Sequence, residues 1–340
     1  MKSINRVLIE TMVHRALRDI RNSPERSFRN LVDFGATVLK GRFSQRFINA
    51  VQTALQNENS AYYALVRDVT AHVDPDNLVT FGVNVGYNSC TVGAKKIREL
   101  ESENGFDIPW SFSLNIDAEK YSRNEPYYES LISQGTELGI YTWIVWMQEK
   151  IYKVFPLIEK HPECAFVLCC PSGCIDVSVA GDITDFDNLM LAVEYGEDAE
   201  RACSLLRENR RLYSVYAMYD ANNAETITNG EFMAFAEECH PTFSVLIPME
   251  TASQTLRKSM YDFVVRAREK QSFRTVPWEA YHDNQYIDSI ISEDVCSAGA
   301  DSSGSFISLC ERTVRGQHNI FEEKLQDILK NCYPKVRCHN

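Results

Sequence analysis

Short apolar runs alternate with helical patterns over residues 77–249, and this alternation constrains the fold more than any other feature. The runs are nearly continuous in apolar residues, as in FVLCC, LMLAVEY and FSVLIPM. Parallel strands that are covered on both faces have this composition, because helices pack on the two sides of the sheet. We therefore predict strands at residues 78–85, 110–117, 140–146, 165–170, 189–194, 212–219 and 242–249.

The segments between these runs repeat their apolar residues at helical spacing. They predict helices at residues 92–103, 126–138, 152–161, 198–207, 229–238 and 251–271. Five or six strand–helix units on one sheet favour a complete or partial (β/α) TIM-like barrel over an open doubly wound sheet. The predicted fold class is therefore α/β.

The chain before the first run has a different pattern. Residues 1–76 are predicted to be helical throughout, and residues 77–271 form the barrel. Residues 272–340 form a small irregular C-terminal extension with a final helix at 321–330. Arginines dot the N-terminal helices at Arg15, Arg18, Arg21, Arg26 and Arg29, where they either cover a solvated face or bind an acidic partner.

Charge and cysteine usage restrict the class of protein further. The formal net charge of −12 argues against a nucleic-acid partner, since backbone binding depends on lysine and arginine. No apolar run is long enough for a membrane span, so we predict no membrane association and a cytoplasmic location. The 11 cysteines are scattered through core-like runs, which in a reducing compartment favours buried thiols or metal ligation over disulfides.

The turn after the first predicted strand, residues 86–93, is the expected place for ligand chemistry. Gly86 and Asn88 suit a tight reversal because both residue types tolerate positive φ. Asn84 and Asn115 alternate with apolar neighbours, so we expect them to point into the barrel. The candidate cofactor-binding residues are Asn84, Gly86, Tyr87, Asn88, Cys90, Asn115 and Trp146.

Carboxylates close four of the apolar runs, where barrels collect catalytic groups. They are Asp117, Glu194, Asp220 and Glu250, and a pair with opposed pKa values would serve as acid and base. Acidic residues are also common in loops, so an ordinary solvated role remains the alternative. The densest thiol group is Cys169, Cys170 and Cys174, which either ligates a metal or packs in the core.

The C-terminal extension carries the most specific pattern. Cys296-Ser-Ala-Gly299 is followed by Ser303-Gly304, by Cys310, and by Gly316-Gln-His-Asn-Ile320 before the last helix. This order resembles the SPASM or twitch extension of radical S-adenosylmethionine enzymes, and the preceding partial barrel resembles their core. The resemblance implies an auxiliary iron–sulfur cluster with Cys296 and Cys310 among its ligands. It also implies S-adenosylmethionine and a [4Fe–4S] cluster as cofactors, and a small molecule or peptide as the ligand.

The sequence departs from this family at its defining motif. The family places three cysteines at C-x3-C-x2-C in its first strand-to-helix loop, whereas the predicted loop here has only Cys90. One thiolate does not hold a cubane cluster. We therefore predict a cluster-less binding or accessory protein derived from a radical enzyme, with a reduced extension. The alternatives are an active radical SAM or iron–sulfur or metal enzyme that uses non-standard cysteine ligands or strand-end carboxylates, and a structural protein whose N-terminal helices dock a protein partner.

Overall fold

The computed structural model describes residues 4–20, 24–38, 41–310 and 317–335. Its core is a curled nine-stranded sheet in the order β7-β6-β5-β4-β3-β2-β1-β8-β9. The strands are β1 (Ser111–Asn115), β2 (Thr142–Trp146), β3 (Ala165–Cys170), β4 (Leu189–Glu194), β5 (Tyr213–Tyr219), β6 (Phe243–Pro248), β7 (Val276–Glu279), β8 (Ala298–Ala300) and β9 (Phe306–Ser308). Every neighbouring pair from β7 to β8 is parallel, and only β9 runs antiparallel to its neighbour.

The sheet is a half-barrel, which confirms the predicted α/β class with a partial TIM-like barrel. The first helices are α1 (Ile4–Ile20), α2 (Pro24–Val38), α3 (Arg42–Ala54), α4 (Ala61–His72), α5 (Pro75–Val83), α6 (Ala94–Asn104), α7 (Ala118–Leu138) and α8 (Phe155–Lys160). The others are α9 (Val177–Asp182), α10 (Ala199–Glu208), α11 (Ala224–Thr228), α12 (Glu231–Cys239), α13 (Gln254–Lys270), α14 (Ala280–Ile291) and α15 (Leu325–Cys332). None of these described helices is long and apolar enough to span a membrane.

Six of the seven predicted strands are confirmed, and the first, at residues 78–85, is wrong. This segment belongs to α5, which continues through a π-helical stretch, Asn84–Gly93, into α6. Asp74 caps α5 by accepting a hydrogen bond from the Asp76 backbone N–H, and Pro75 occupies the first turn. A short apolar run does not by itself distinguish a buried helix from a strand, which explains the error.

The two faces of the sheet bury different side chains because neighbours along a strand point to opposite sides. On the convex face Phe112, Trp143, Phe166, Leu191 and Val215 pack against the helices in the main core. On the concave face a smaller cluster surrounds Cys169, Ala192 and Tyr216.

The N-terminal helices close the amino end of the half-barrel. Leu65, Val69 and Phe81 of α4 and α5 pack against Ala165, Met190 and Leu212, which stand at the beginnings of β3, β4 and β5. Asn77, completely buried, donates to the backbone oxygens of Asp187 and Leu189 and accepts from the Leu212 N–H. This end of the barrel is therefore sealed by protein.

The tail contributes three strands that the sequence analysis did not predict. β7 forms one edge of the sheet, and the β8–β9 hairpin lies beside β1 at the other end. The final helix is α15, four residues later than its predicted start. Gly316 of the tail pattern and Arg21 lie outside the described residues. The division at residues 76 and 271 stays a prediction.

Candidate ligand-binding trough

A partly exposed apolar surface lines the concave face of the half-barrel, and we call it the trough. Cys169, Ala192 and Tyr216 form its buried floor. Six half-buried apolar residues from β2, β3, β5 and β6 surround them: Ile144, Trp146, Val167, Met218, Val245 and Ile247. The strand register explains the grouping, because Asn115, Trp146, Cys169 and Ala192 are successive cross-strand partners on one face.

Two aromatic side chains dominate the trough. The rings of Trp146 and Tyr216 meet edge to face, with centroids 5.6 Å apart and planes at 81°. The indole N–H of Trp146 donates to the Ser113 hydroxyl at 3.0 Å. Burial raises the pKa of Tyr216, and Cys169 and Glu194 add to the rise, so its phenol stays protonated. Because the described residues give its hydroxyl no hydrogen-bond partner, this group is available to a ligand.

The carboxyl ends of the strands form the polar rim of the trough. Asn115 ends β1 exposed, and Glu194 ends β4 half-buried beside Tyr216 in the register. These two predicted site residues therefore stand together with Trp146 around one surface. A polar rim over an apolar floor suits a ligand with an apolar body and a polar end.

The other three predicted carboxylates stand at the same end of the sheet. Two of them accept hydrogen bonds from neighbouring residues in the chain, and the third is exposed to solvent. Asp117 caps α7 by accepting from the N–H groups of Lys120 and Glu119, both at 2.9 Å, and these bonds lower its pKa. Asp220 accepts from the backbone and side-chain nitrogens of Asn222. Glu250 is exposed.

The predicted residues of the 84–90 segment lie at the opposite, amino end. Asn84 donates to the backbone oxygens of Pro162 and Cys164 at 2.9 and 2.8 Å, just before β3. Its own oxygen accepts from Arg6, and Asn88 donates to the backbone oxygen of Glu163. Gly86 and Tyr87 belong to the same π-helical stretch. The structure therefore does not bring this group together with Asn115 and Trp146, because the segment is helix rather than strand.

Cys90 does not lie in the first strand-to-helix turn. It is buried in the π-helical stretch, and burial raises the pKa of its thiol to about 12. The first strand is β1, which enters α7 through Ile116 and Asp117 alone. The sequence has no cysteine between Cys90 and Cys164, so this turn offers a cluster no thiolate at all.

The remaining candidate metal ligands do not converge either. Cys169 faces the trough, while its neighbour Cys170 faces the convex core, and burial raises the pKa of both thiols. Cys174 donates to the Gln148 backbone oxygen, Cys296 is fully buried, and Cys310 contacts the Ser308 hydroxyl. Among the described residues no group of three or more histidines, cysteines and carboxylates would hold a metal ion. These residues do not fit a [4Fe–4S] cluster.

The tail pattern has a structural explanation of its own. Asp301 closes a turn by accepting from the N–H groups of Ser303 and Ser305, at 2.8 and 3.0 Å. Gly304 follows with φ of 83°, where a side chain would press on Asn319 and Phe321. Asn319 donates to the Ser303 backbone oxygen at 3.1 Å. The two separated parts of the pattern therefore pack on each other.

Sequence reasoning missed Tyr216 and the apolar residues around it. The signal that identifies them is period-2 alternation within YSVYAMY, combined with the position of Trp146 on a parallel strand. Each of these residues taken alone resembles an ordinary core residue. Only the pairing of the strands shows that they lie side by side on one surface.

Comparison with solved structures supports the fold. The chain is similar to Streptococcus suis SuiB bound to S-adenosylmethionine, with a TM-score of 0.50 and 12% identity over 69% of this chain and 66% of that one. A weaker likeness, with a TM-score of 0.43 and 13% identity, relates 65% of this chain to 80% of anSMEcpe, which has bound AdoMet and the Cp18Cys peptide. The chain thus spans just under two thirds of SuiB. Both are radical SAM enzymes, and at this identity the likeness concerns the fold alone.

No sequence family and no curated protein sequence matches the chain.

Proposed function

We propose that this protein is a cluster-less binding or accessory protein on a radical-SAM-type half-barrel, and that it binds a small molecule or peptide in the trough. One observation carries the proposal: the turn after the first strand passes directly into α7 and contains no cysteine. The thiolates that a radical SAM cluster needs at this place are absent from the sequence, while half-buried apolar side chains line the concave surface beside it.

The trough supplies the interactions that binding requires. Its apolar floor favours a ligand with aromatic or aliphatic groups, because their transfer from water is worth about 25 cal/mol per Å². The half-buried ring of Trp146 offers aromatic surface to such a group, and the Tyr216 hydroxyl donates or accepts one hydrogen bond. Asn115 and Glu194 at the rim select polar or cationic groups at the ligand's end.

Anaerobic reconstitution with iron and sulfide tests the absence of the cluster. We expect substoichiometric, loosely held iron and no charge-transfer absorption of a [4Fe–4S] centre, since too few thiolates converge. Single substitutions Cys90→Ala, Cys169→Ala and Cys296→Ala should leave the residual iron unchanged. A stoichiometric cluster that any one of them abolishes contradicts the proposal and favours an active metal enzyme.

Calorimetric titration tests the binding surface separately. The probes are S-adenosylmethionine and short peptides with one central aromatic residue. We expect Tyr216→Phe and Trp146→Ala to weaken binding of any probe that titrates, by about 1 kcal/mol or more each. Leu309→Ala is the control, because this side chain is exposed in the tail and lies outside the trough. Equal affinities in all variants would show that the ligand binds elsewhere.

A further inference from the structure

Helix α1 has two different faces. Ile9, Leu17 and Ile20 are buried against α5, with Val79 and Val83 on the other side of the contact. The opposite face points to solvent and still carries large apolar side chains: Val7, Leu8 and Met12 are 46%, 57% and 46% exposed. Solvent-facing helix positions normally carry polar residues, so this outward face resembles an interface without its partner.

The net charge on this outward face is positive, because two arginines, Arg15 and Arg18, outnumber one carboxylate, Asp19. Arg15 and Arg18 are exposed one and two turns beyond Met12, on the same side of the helix. The ion pairs of α1 within the described chain are Arg6–Glu10 and His14–Asp76, and neither of these two arginines takes part in one.

The part of the chain that ends just after α3, residues 1–56, shares this sign. Residues 1–56 contain ten lysines and arginines against four acidic residues, a net charge of +6, although the full chain carries −12. The remaining residues therefore carry −18. With this asymmetry, residues 1–56 attract an acidic partner, while the rest of the molecule repels one.

We propose that the outward face of α1 docks an acidic amphipathic helix of another protein. Its apolar residues pack on Val7, Leu8 and Met12, and its carboxylates pair with Arg15 and Arg18 at the other end of the face. Helix-on-helix packing uses residues spaced i and i+4, which is the spacing of Leu8 and Met12. The face spans about 17 Å from Val7 to Arg18, or roughly three turns.

Charge and shape favour this partner over three others. A second copy of the chain would add its own Arg15 and Arg18 to a symmetric contact, which would then hold four arginines and only two carboxylates, Asp19 of each copy. Membrane-surface helices bury a wider apolar face with aromatic residues, and α1 exposes three aliphatic side chains beside Thr11 and Asp19. Nucleic acid and anionic lipid are extended negative surfaces that would also approach the acidic body of the molecule and be repelled by it, whereas a single helix contacts the outward face of α1 alone.

Fluorescence anisotropy with synthetic peptides on the full chain tests the proposal. The probe is a helical peptide with leucines at i, i+4 and i+7 and glutamates in its other half, and a peptide with lysine for each glutamate is the matched comparison. We expect the acidic peptide alone to bind, with affinity falling about tenfold or more between low and high salt.

Variants locate the contact. Arg15→Glu/Arg18→Glu should weaken binding at least about tenfold, and so should Leu8→Asn, whose side chain is too exposed to affect folding. Lys258→Glu/Arg266→Glu, the same charge change on the exposed face of α13, should leave binding unchanged. The proposal is overturned if neither peptide binds, if the two double variants behave alike, or if α1-dependent self-association, phosphatidylserine vesicle binding or duplex DNA binding is found instead.

Discussion

Gly93 and Gly86 lie in the stretch that the sequence offered as a ligand-binding turn, but they occupy different environments. A Cβ atom at Gly93 would stand 2.3 Å from the Gly139 backbone oxygen and 2.9 Å from that of Asn88. At Gly86 nothing lies within 4 Å of the same atom. Gly93 therefore permits close contact between the start of α6 and the end of α7, and Gly86 has no such role.

Alanine at the two glycines should consequently act in opposite directions. We expect Gly93→Ala to destabilise the protein by about 2 kcal/mol or more, because backbone must move to admit the methyl group. Gly86→Ala should be neutral or stabilising by up to about 1 kcal/mol, since alanine favours helix. Urea unfolding measures both, and equal effects would contradict the close packing at Gly93.

The carboxyl group of Asp288 is buried, and its ionisation couples the stability of the protein to pH. Asp288 is fully buried, accepts from the Trp110 N–H at 3.1 Å and from the Ser297 hydroxyl, and burial raises its pKa from 3.8 to about 7. A carboxyl whose folded pKa exceeds its unfolded value stabilises the fold fully below pH 3.8, and this stability is lost as the pH rises through 7.

Stability should therefore fall between pH 4 and pH 8, by up to about 4 kcal/mol from Asp288 alone. Asp288→Asn keeps an acceptor and cannot ionise, so it should flatten much of this dependence. Glu101, whose pKa burial also raises to about 7, accounts for the slope that remains. Thermal melting over this pH range gives the measurement, with exposed Glu208→Gln as the control. An unchanged profile in Asp288→Asn would refute the assignment.

At the scale of elements, strands with long apolar runs were predictable and short ones were not. β2 to β5 carry five to seven mostly buried residues each, and β6 carries six that are buried or half-buried. Runs of this length reveal both the period of a strand and the residues at which it begins and ends. β8 and β9 have three residues, AGA and FIS, and β7 has four, so no sequence period distinguishes them from loop. The trough was found only in part, because its residues come from separate strands and the register alone brings them together.

The N-terminal helices act as one closing element, so deleting them has a defined consequence. A chain of residues 77–340 loses α1 to α4 and the cap of α5, and it uncovers the amino ends of β3, β4 and β5. We expect poor solubility and a lower melting temperature, because this surface is stabilised by burial. A chain that begins at residue 4 is the control. A soluble 77–340 fragment with an unchanged melting temperature would show that the helices are dispensable.

At the scale of the whole molecule, the tail and the barrel share one sheet and one core. Cys296, Ala298, Leu325, Ile328 and Tyr333 belong to the same cluster as the barrel residues. The Nζ atom of Lys335 in the tail forms ion pairs with Glu101 Oε2 at 2.9 Å and with Asp107 Oδ1 at 3.4 Å. A resemblance to a separable extension predicts independent folding, whereas these contacts predict joint folding.

Truncation at residue 271 distinguishes independent folding of the tail from joint folding with the barrel. A chain ending at residue 271 loses β7 to β9, α14 and α15, which leaves Ile108, Phe112 and Leu114 without their partners. We expect this chain to be insoluble or to lack a cooperative unfolding transition, because removing the tail exposes apolar side chains of a core that folds as one unit. A chain ending at residue 335 retains every tail element in the described sheet and should melt like the full chain. Cooperative, soluble folding of residues 1–271 would instead establish the tail as a separate domain.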